Sequence, residues 1–292
     1  MSNVTSQPFL AEPGPVQHHL EFALTGTLPE LLKRLPSVWP MNPALPRVNV
    51  VFGVRPSLWS AETSAPVEDF SAVSSSDGSH VAPSTQFDAW FWIHGSSAFA
   101  VRDAIDHISA TLRDVAALRE SNACAPFEEN RTVEGFVDGT ENPNQFEAAA
   151  AAARDGMSCV LVQRWESTGK AEFLAMPVHD QELVIGRTKD DSIELEDLPI
   201  DSHVARNVLE VDGEELPILR RNLPLADASG YMFAGFCHDP SVTLRMLQRM
   251  YGHGDPAVRD RITDYVTART GSMYVVPSVA QLSELGALPA DD

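Results

Sequence analysis

The stretch VQHHLEFALTGTLPELLKRL, Val16 to Leu35, begins the pattern on which the fold prediction rests. Apolar residues alternate with other types as far as Leu24, which predicts a strand. Thr27 and Glu30 then have the spacing of a capping box, and Pro29 suits the first turn of a helix. A strand followed directly by a helix is the first part of a β-α-β-β-α-β unit.

The other elements of this unit follow along the first half of the chain. Strands are predicted at VNVVFGV (48–54) and AWFWIHG (89–95), joined by a long surface loop rich in Ser, Pro and Asp. The next apolar positions have helical spacing and predict an amphipathic helix: Val101, Ile105, Ile108 and Leu112. TVEGFV (132–137) is predicted as the last strand of the unit.

The second half of the chain repeats this order. A strand is predicted at 158–165, a helix at 179–187, strands at 216–224 and 230–237, a helix at 241–252 and a strand at 272–278. Two such units predict an α+β fold of tandem duplicated ferredoxin-like (βαββαβ) units with antiparallel sheets. At about 150 residues per domain, we predict an N-terminal half at 1–150 and a C-terminal half at 151–292.

The composition limits the partners that this chain can have. A formal net charge of −20 argues against nucleic acid and against anionic membranes, because both require Lys and Arg to neutralise phosphates. No apolar run approaches the roughly 20 residues of a membrane helix, and the N-terminus lacks a basic, apolar signal pattern. The three cysteines form no metal-binding or haem-attachment motif. We therefore predict a cytoplasmic protein.

One acidic residue has an unusual setting. In EGFVDGTENPNQF (134–146), Asp138 lies between Gly135 and Gly139. A calcium-binding loop is excluded, because the glycine and the glutamate that an EF-hand needs are absent at their positions. A plain turn and a catalytic carboxylate both remain open, since Asp and Gly are common in turns.

Three further polar residues are candidates for a site. His203 stands alone in a long acidic insertion at 188–216, and no spacing of several histidines suggests zinc. Arg220 and Asn222 would share one face of a strand, with Arg221 on the other face. An arginine that faces a pocket is costly unless it meets an anion, whereas a pair of surface arginines would need no ligand. A structural or exposed histidine is likewise the ordinary alternative for His203.

Several segments together resemble one known family. At GFVDGTENP (135–143) the chain resembles the dye-decolorizing peroxidases, whose hallmark is this GxxDG segment. Other segments resemble that family in the same order: ELVIGRTKDDSIEL, DSHVARN, ILRRNLP, YMFAGF and DRITDYVTARTGSMYVVPS. The likeness covers about residues 16–280, and within the family the chain resembles the B-type subgroup. The family has the duplicated ferredoxin-like fold derived above, with haem in the C-terminal half.

The resemblance implies a haem b group, one per chain, and assigns residues to both of its faces. His203 matches the residue that ligates the iron, and Asp264 matches the acid that accepts a hydrogen bond from the other ring nitrogen. Asp138, Arg220 and Asn222 match the catalytic residues on the opposite face. The resemblance further implies that four residues bind the cofactor, the two arginines through its propionates: Gly139, Thr140, Arg187 and Arg206.

The resemblance also implies an activity and partners. The expected protein is a haem peroxidase that reduces H₂O₂ and oxidises phenolic or dye-like donors in one-electron steps through a ferryl porphyrin-radical state. A haem-binding or iron-handling protein of the same fold with little peroxidase activity is the alternative. The expected partners are H₂O₂ and small-molecule electron donors. A homo-oligomer is also expected, and the family allows for an encapsulating shell protein.

Overall fold

The computed structural model describes residues 6–39, 45–62, 67–127, 130–139 and 142–289. Its strands are β1 (Val16–Leu24), β2 (Val48–Val54), β3 (Val73–Ser74), β4 (Val81–Ala82), β5 (Ala89–Gly95), β6 (Ala116–Cys124), β7 (Ser158–Glu166), β8 (Glu210–Val211), β9 (Glu214–Glu215), β10 (Leu219–Arg220), β11 (Leu223–Pro224), β12 (Gly230–Cys237), β13 (Thr267–Ala268) and β14 (Ser272–Val276). Its α-helices are α1 (Leu28–Leu32), α2 (Pro56–Glu62), α3 (Ala98–Leu112), α4 (Gln145–Ala152), α5 (Lys170–Ala175), α6 (Val178–Ile185), α7 (His203–Asn207), α8 (Pro240–Met250) and α9 (Val279–Glu284). Among the residues so described, no helix is long and apolar enough to cross a bilayer.

The strand order confirms the predicted α+β fold. In the first half the order across the sheet is β2-β5-β1-β6, and in the second half it is β10-β12-β7-β14. Each is the order second, third, first, fourth of a βαββαβ unit, and the pairs are antiparallel. The two units join where β14 pairs with β2, at Val275 and Val54. The predicted domain boundary at residue 150 falls inside α4 and stays a prediction.

The last strand of the first unit lies elsewhere than predicted. The strand is β6, whereas residues 132–137 form a turn that is closed by a bridge between Arg131 and Val137. β6 is polar and half exposed, with Leu118 45% exposed, so its alternation is weak in the sequence. The apolar residues Val133 and Phe136, which suggested a strand, are instead buried beneath this turn.

Two other segments differ from their predictions: one predicted loop contains secondary structure, and one predicted strand is interrupted. The long loop between β2 and β5 contains α2 and the small β3–β4 hairpin. The strand predicted at 216–224 is broken into β10 and β11, which pair with different parts of β12. The break between β10 and β11 contains Asn222, and this interruption shapes the site described below.

A buried aromatic cluster lies between strands of the two halves. We call it the aromatic core: Trp90, Trp92, Phe236 and Tyr274, each 0% exposed. Glu21 of β1 enters this core, also at 0% exposure, and its Oε1 accepts a hydrogen bond of 2.7 Å from the Tyr274 hydroxyl. Its Oε2 has no hydrogen-bond partner among the described residues.

Burial of Glu21 gives a testable pH dependence. Burial raises the pKa of this carboxyl from 4.5 to about 7, despite the lowering effect of the Tyr274 and Ser272 hydroxyls, and the charge of Glu120 raises it further. The folded state therefore binds this proton more tightly than the unfolded chain does. As a result, the contribution of Glu21 to stability is present below pH 4.5 and is lost as the pH rises through 7.

We expect Glu21→Gln to remove this dependence. Between pH 5 and pH 8 the free energy of unfolding of the natural protein should fall, relative to the variant, by about 3 kcal/mol, since one pKa unit corresponds to about 1.4 kcal/mol. Urea unfolding of both proteins at the two pH values measures this difference, and other titrating groups cancel in the comparison. An equal pH dependence in both proteins would contradict the assignment.

Candidate active site

His203 begins α7 and is held by a buried carboxylate. Ser202 caps this helix, because its hydroxyl accepts a hydrogen bond from the backbone N–H of Ala205. Nδ1 of His203 lies 2.7 Å from Oδ2 of Asp260, which is 0% exposed. No side chain or backbone group in the described ranges hydrogen-bonds to Nε2, and the His203 side chain is 40% exposed. The ring is therefore fixed through one nitrogen and presents the other.

The surroundings of His203 stabilise the protonated form of its ring. Burial alone would lower the pKa of the ring, but the charge and hydrogen bond of Asp260 outweigh it, so the pKa is raised. Asn207 supports the arrangement, since its Nδ2 donates to the His203 carbonyl at 2.8 Å and lies 3.3 Å from Oδ2 of Asp260. Asp260 also accepts from the N–H of Ile262 at 2.9 Å. The imidazole and its carboxylate thus form one connected unit.

The predicted partnership of His203 with Asp264 is wrong. Oδ1 of Asp264 accepts from Nη2 of Arg259 at 2.7 Å and lies 3.5 Å from Nε2 of His80, and its side chain is 45% exposed. The reason is the short 3₁₀ helix Arg261–Asp264, whose buried N-cap is Asp260. Asp264 lies at the other end of this turn and points to the surface. The segment DRITD contains two acids four residues apart, and the sequence alone could not show which of them contacts His203.

On another loop, Asp138 is held between two left-handed glycines. Gly135 and Gly139 have φ values of +90° and +81°, which favour glycine. Oδ1 of Asp138 accepts from the N–H of Gly139 at 2.7 Å, and Oδ2 accepts from Nδ2 of Asn222 at 3.0 Å. The segment is therefore a turn that also holds a carboxylate in a fixed orientation. Thr140, predicted to bind the cofactor, lies outside the described residues.

Arg220 is fixed by a residue that sequence reasoning missed. The side-chain amide of Asn142 makes two hydrogen bonds to the backbone of Arg220. Oδ1 of Asn142 accepts from the Arg220 N–H at 2.8 Å, and Nδ2 donates to the Arg220 carbonyl at 3.0 Å. On its other side, Arg220 pairs with Gly235 in the β10–β12 ladder. The one sequence feature that could have indicated this contact is the asparagine of the segment GTENP. The loop of Asp138 and the strand of Arg220 are thus joined directly.

The three predicted catalytic residues are brought together. Asp138, Arg220 and Asn222 line one cavity of about 600 Å³, together with Gly139. The charges of Arg220 and Asp138 also act on the pKa of His203, the first lowering it and the second raising it. These groups therefore lie within electrostatic range of the imidazole. Within the described parts of the chain, no cluster of three or more His, Cys, Asp or Glu side chains is suited to a metal ion.

The two arginines predicted to bind propionates differ from each other. Arg206 is 1% exposed and its guanidinium donates to the carbonyls of Arg249 and Pro256, at 3.3 and 3.2 Å. The predicted role of Arg206 is therefore corrected: it fastens α7 to the end of α8 instead of facing a ligand. Arg187 donates to the Ser192 carbonyl and to Glu194, both at 3.0 Å, and its role at a cofactor stays a prediction.

A family model and curated relatives match the chain. Residues 129–281 match the model described as Dyp-type peroxidase, C-terminal. The dye-decolorizing peroxidase of Mycolicibacterium paratuberculosis is 36% identical over 225 residues, which is 72% of this chain and 63% of that protein. The dye-decolorizing peroxidase of Rhodococcus erythropolis is 32% identical over 250 residues, which is 80% of this chain and 73% of that protein. The chain therefore belongs to the Dyp-type peroxidase family.

Solved structures resemble the whole chain. The encapsulated DyP-type peroxidase of Mycobacterium smegmatis superposes with a TM-score of 0.87 at 30% identity, covering 98% of this chain and 99% of that one. A variant of DypB from Rhodococcus jostii in complex with heme gives a TM-score of 0.85 at 29% identity, covering 95% and 97%. The fold thus matches that of these two peroxidases over nearly their full length.

Proposed function

We propose that this protein is a haem-dependent peroxidase that reduces H₂O₂ and oxidises small phenolic or dye-like donors in one-electron steps. The observation that carries this proposal is the arrangement around His203. A single imidazole is fixed through Nδ1 to a buried carboxylate, and the charges of Asp138 and Arg220 act on its pKa. One histidine is sufficient to ligate a haem iron axially.

The residues around His203 fit a haem b group. A porphyrin needs apolar side chains beside its axial ligand, and Ile200, three residues before His203, is 56% exposed. His203 would hold the iron, and Asp260 would give the imidazole more anionic character. Arg187 would meet a propionate. The heme complex of the Rhodococcus jostii relative supports the proposal that this chain binds haem.

The side chains of Asp138, Arg220 and Asn222, which line one cavity, can move a proton and stabilise charge. Bound haem would supply the redox-active iron for the reaction with peroxide. Asp138 would take a proton from the near oxygen of peroxide and return one to the far oxygen. The hydrogen bond from Asn222 keeps the carboxylate of Asp138 in place. Arg220 remains protonated and would stabilise the negative charge that develops as the far oxygen leaves.

Stopped-flow mixing of the ferric protein with one equivalent of H₂O₂ tests this function. We expect a rapid change in the haem absorption spectrum, followed by its return when a phenolic donor is added. A haem-binding or iron-handling protein with little peroxidase activity would change slowly or not at all. The first result supports the peroxidase, and the second would replace it with this alternative.

Asp260 gives a prediction that separates the two neighbouring acids. We expect Asp260→Asn to shift the iron reduction potential to more positive values, because the imidazole loses its anionic character. Haem affinity or peroxidase activity should fall about 10- to 100-fold. Asp264→Asn is the matched control and should change neither property. Spectroelectrochemical titration of both variants measures the potential, and a shift confined to Asp264→Asn would contradict the structure.

Asn142 gives a second prediction about positioning. Asn142→Ala removes both hydrogen bonds to the backbone of Arg220, so we expect a loss of about 1–3 kcal/mol in stability. The rate constant for the reaction with peroxide should fall while the KM for a phenolic donor stays constant. Asn122→Ala, on the edge strand β6, is the control and should leave the rate unchanged. An unchanged rate in Asn142→Ala would show that Arg220 is held by other contacts.

The proposed assembly and location rest on relatives. We propose a cytoplasmic homo-oligomer, and the encapsulated relative from Mycobacterium smegmatis supports the further proposal that a shell protein encloses this chain. Size-exclusion chromatography with light scattering tests the oligomer. Co-purification with a shell protein from the native cells tests the encapsulation.

A further inference from the structure

The packing around the buried pair of Glu21 and Tyr274 does not explain why a carboxylate is present there. A buried carboxylate is costly unless a cation pairs with it, and the polar neighbours of this one are the hydroxyls of Tyr274 and Ser272. The charged groups that act on the pair are Glu120 on β6 and Asp88 before β5, and both are acidic. Arg164 on β7 lies 3.8 Å from Glu120 and is engaged there. A glutamine would satisfy the phenol without this cost.

The Tyr274 ring belongs to a continuous path of buried rings. It stacks on Trp90 with centroids 6.0 Å apart and an angle of 13° between the planes. Trp90 lies 6.1 Å from Phe236, and Trp92 lies 6.0 Å from the same ring. All four rings of the aromatic core are 0% exposed. Such close, water-free contacts between aromatic rings provide a route for single electrons.

This path ends directly behind the candidate active site. Phe236 is opposite Leu219 in the β10–β12 ladder, and the next pair is Arg220 with Gly235. Because side chains alternate between the two faces of a strand, Leu219 packs in the core that contains Phe236 while Arg220 points to the opposite face. One sheet therefore lies between the aromatic core and the side chain of Arg220.

We propose that Tyr274 and Glu21 form a proton-coupled redox pair that supplies one electron to the oxidised haem. The phenolic O–H bond breaks, the proton forms a new bond to Oε1 of Glu21, and the electron passes through Trp90 and Phe236 to the cofactor. The neutral tyrosyl radical regains its electron from an external donor and its proton from Glu21. This inference rests on the proposed peroxidase function, which supplies the oxidant.

Other tyrosines lack this arrangement and serve as comparisons. The hydroxyl of Tyr231 accepts from the N–H of Val133 at 3.1 Å, and the hydroxyl of Tyr265 donates to the sulfur of Met176 at 3.4 Å. Within the described residues, Tyr274 is the tyrosine whose hydroxyl has a hydrogen bond to a carboxylate. Tyr265→Phe is therefore the control, because it removes a partly buried tyrosine hydroxyl that has no carboxylate partner.

The first test is electron paramagnetic resonance of freeze-quenched holoenzyme. The protein, grown with ring-deuterated tyrosine or without it, is mixed with H₂O₂ at pH 8 and no donor. We expect a tyrosyl radical in the natural protein and in Tyr265→Phe. The signal should be at least tenfold smaller in Tyr274→Phe and in Glu21→Gln. Glu21→Gln keeps an oxygen that accepts the hydroxyl proton in a hydrogen bond, so it tests the base while leaving the ring in place.

A second readout does not depend on peroxide. Flash photolysis of the resting holoenzyme with a ruthenium photo-oxidant generates tryptophan radicals, which should pass to Tyr274 in the natural protein and at least tenfold more slowly in Glu21→Gln. If peroxide oxidises the haem but neither experiment gives a radical that depends on Tyr274, the inference is wrong and the peroxidase function stands. If peroxide fails to react and the flash experiment gives this radical, the redox pair stands and the peroxidase function is wrong.

Discussion

Replacing His203 with alanine should leave the purified protein with no more than about a tenth of its haem, because the proposed iron has one protein ligand. The Asp260 carboxylate would then be buried without its imidazole, which further disfavours an ordered site. The haem content is measured from the Soret absorption and by the pyridine haemochrome method, on protein expressed with added haem precursor.

A second histidine provides the control for this loss. His179 is exposed on α6, and His179→Ala should keep full haem content. Exogenous imidazole should restore part of the Soret band in His203→Ala by filling the space of the missing ring. Full haem retention with unchanged axial coordination in His203→Ala would place the iron ligand elsewhere and would remove the basis of the proposed site.

Replacing Arg220 with leucine should slow the reaction with H₂O₂ by about 10²- to 10³-fold, the usual cost of removing one donor that stabilises a developing negative charge. The backbone contacts of Arg220 with Asn142 do not involve its side chain, so the fold and the haem content should persist. Stopped-flow measurement of the second-order rate constant with peroxide gives the effect directly.

Arg221→Leu is the matched comparison on the same chain segment. Nη2 of Arg221 donates to the carbonyls of Phe9 and Ala11, at 3.4 and 3.3 Å, which places the guanidinium with the N-terminal segment. We expect its effect on the peroxide rate to be at least tenfold smaller than that of Arg220→Leu, a difference of about 1.4 kcal/mol in the barrier. Equal effects of the two substitutions would mean that the strand does not separate the roles of its two arginines.

The sequence predicted those parts of the fold in which local pattern and tertiary burial agree. The strands at 48–54 and 89–95 were placed with the bounds of β2 and β5, because each is an apolar run bounded by turn residues. The capping box of Thr27 and Glu30 is present, with the Thr27 N–H 2.7 Å from the Glu30 carboxylate. β6 was missed because an edge strand with one exposed face can be polar throughout.

The site was predictable as a set of residues but not as a set of contacts. Asp138, Arg220 and Asn222 were identified through the family resemblance, and they line one cavity as this requires. Whether Asp260 or Asp264 meets His203 depends on which one caps a short 3₁₀ helix, and this is decided by packing far along the chain. The burial of Arg206 behind α7 likewise depends on the carbonyls at the end of α8.

The cavity beside Asp138 has walls from both copies of the repeated unit. Leu10, Pro13 and Gln17, which precede or begin the first copy, line it together with Arg220, Arg221 and Asn222 from the second. Apart from Glu21 and Trp90 of the proposed redox path, the strands and helices of the first copy contribute none of the groups that we propose to act on peroxide, so in this cavity that copy supplies only part of the wall. Under the proposed function, we expect substitutions in this wall to alter which donor molecules enter the cavity while the groups proposed to act on peroxide stay in place.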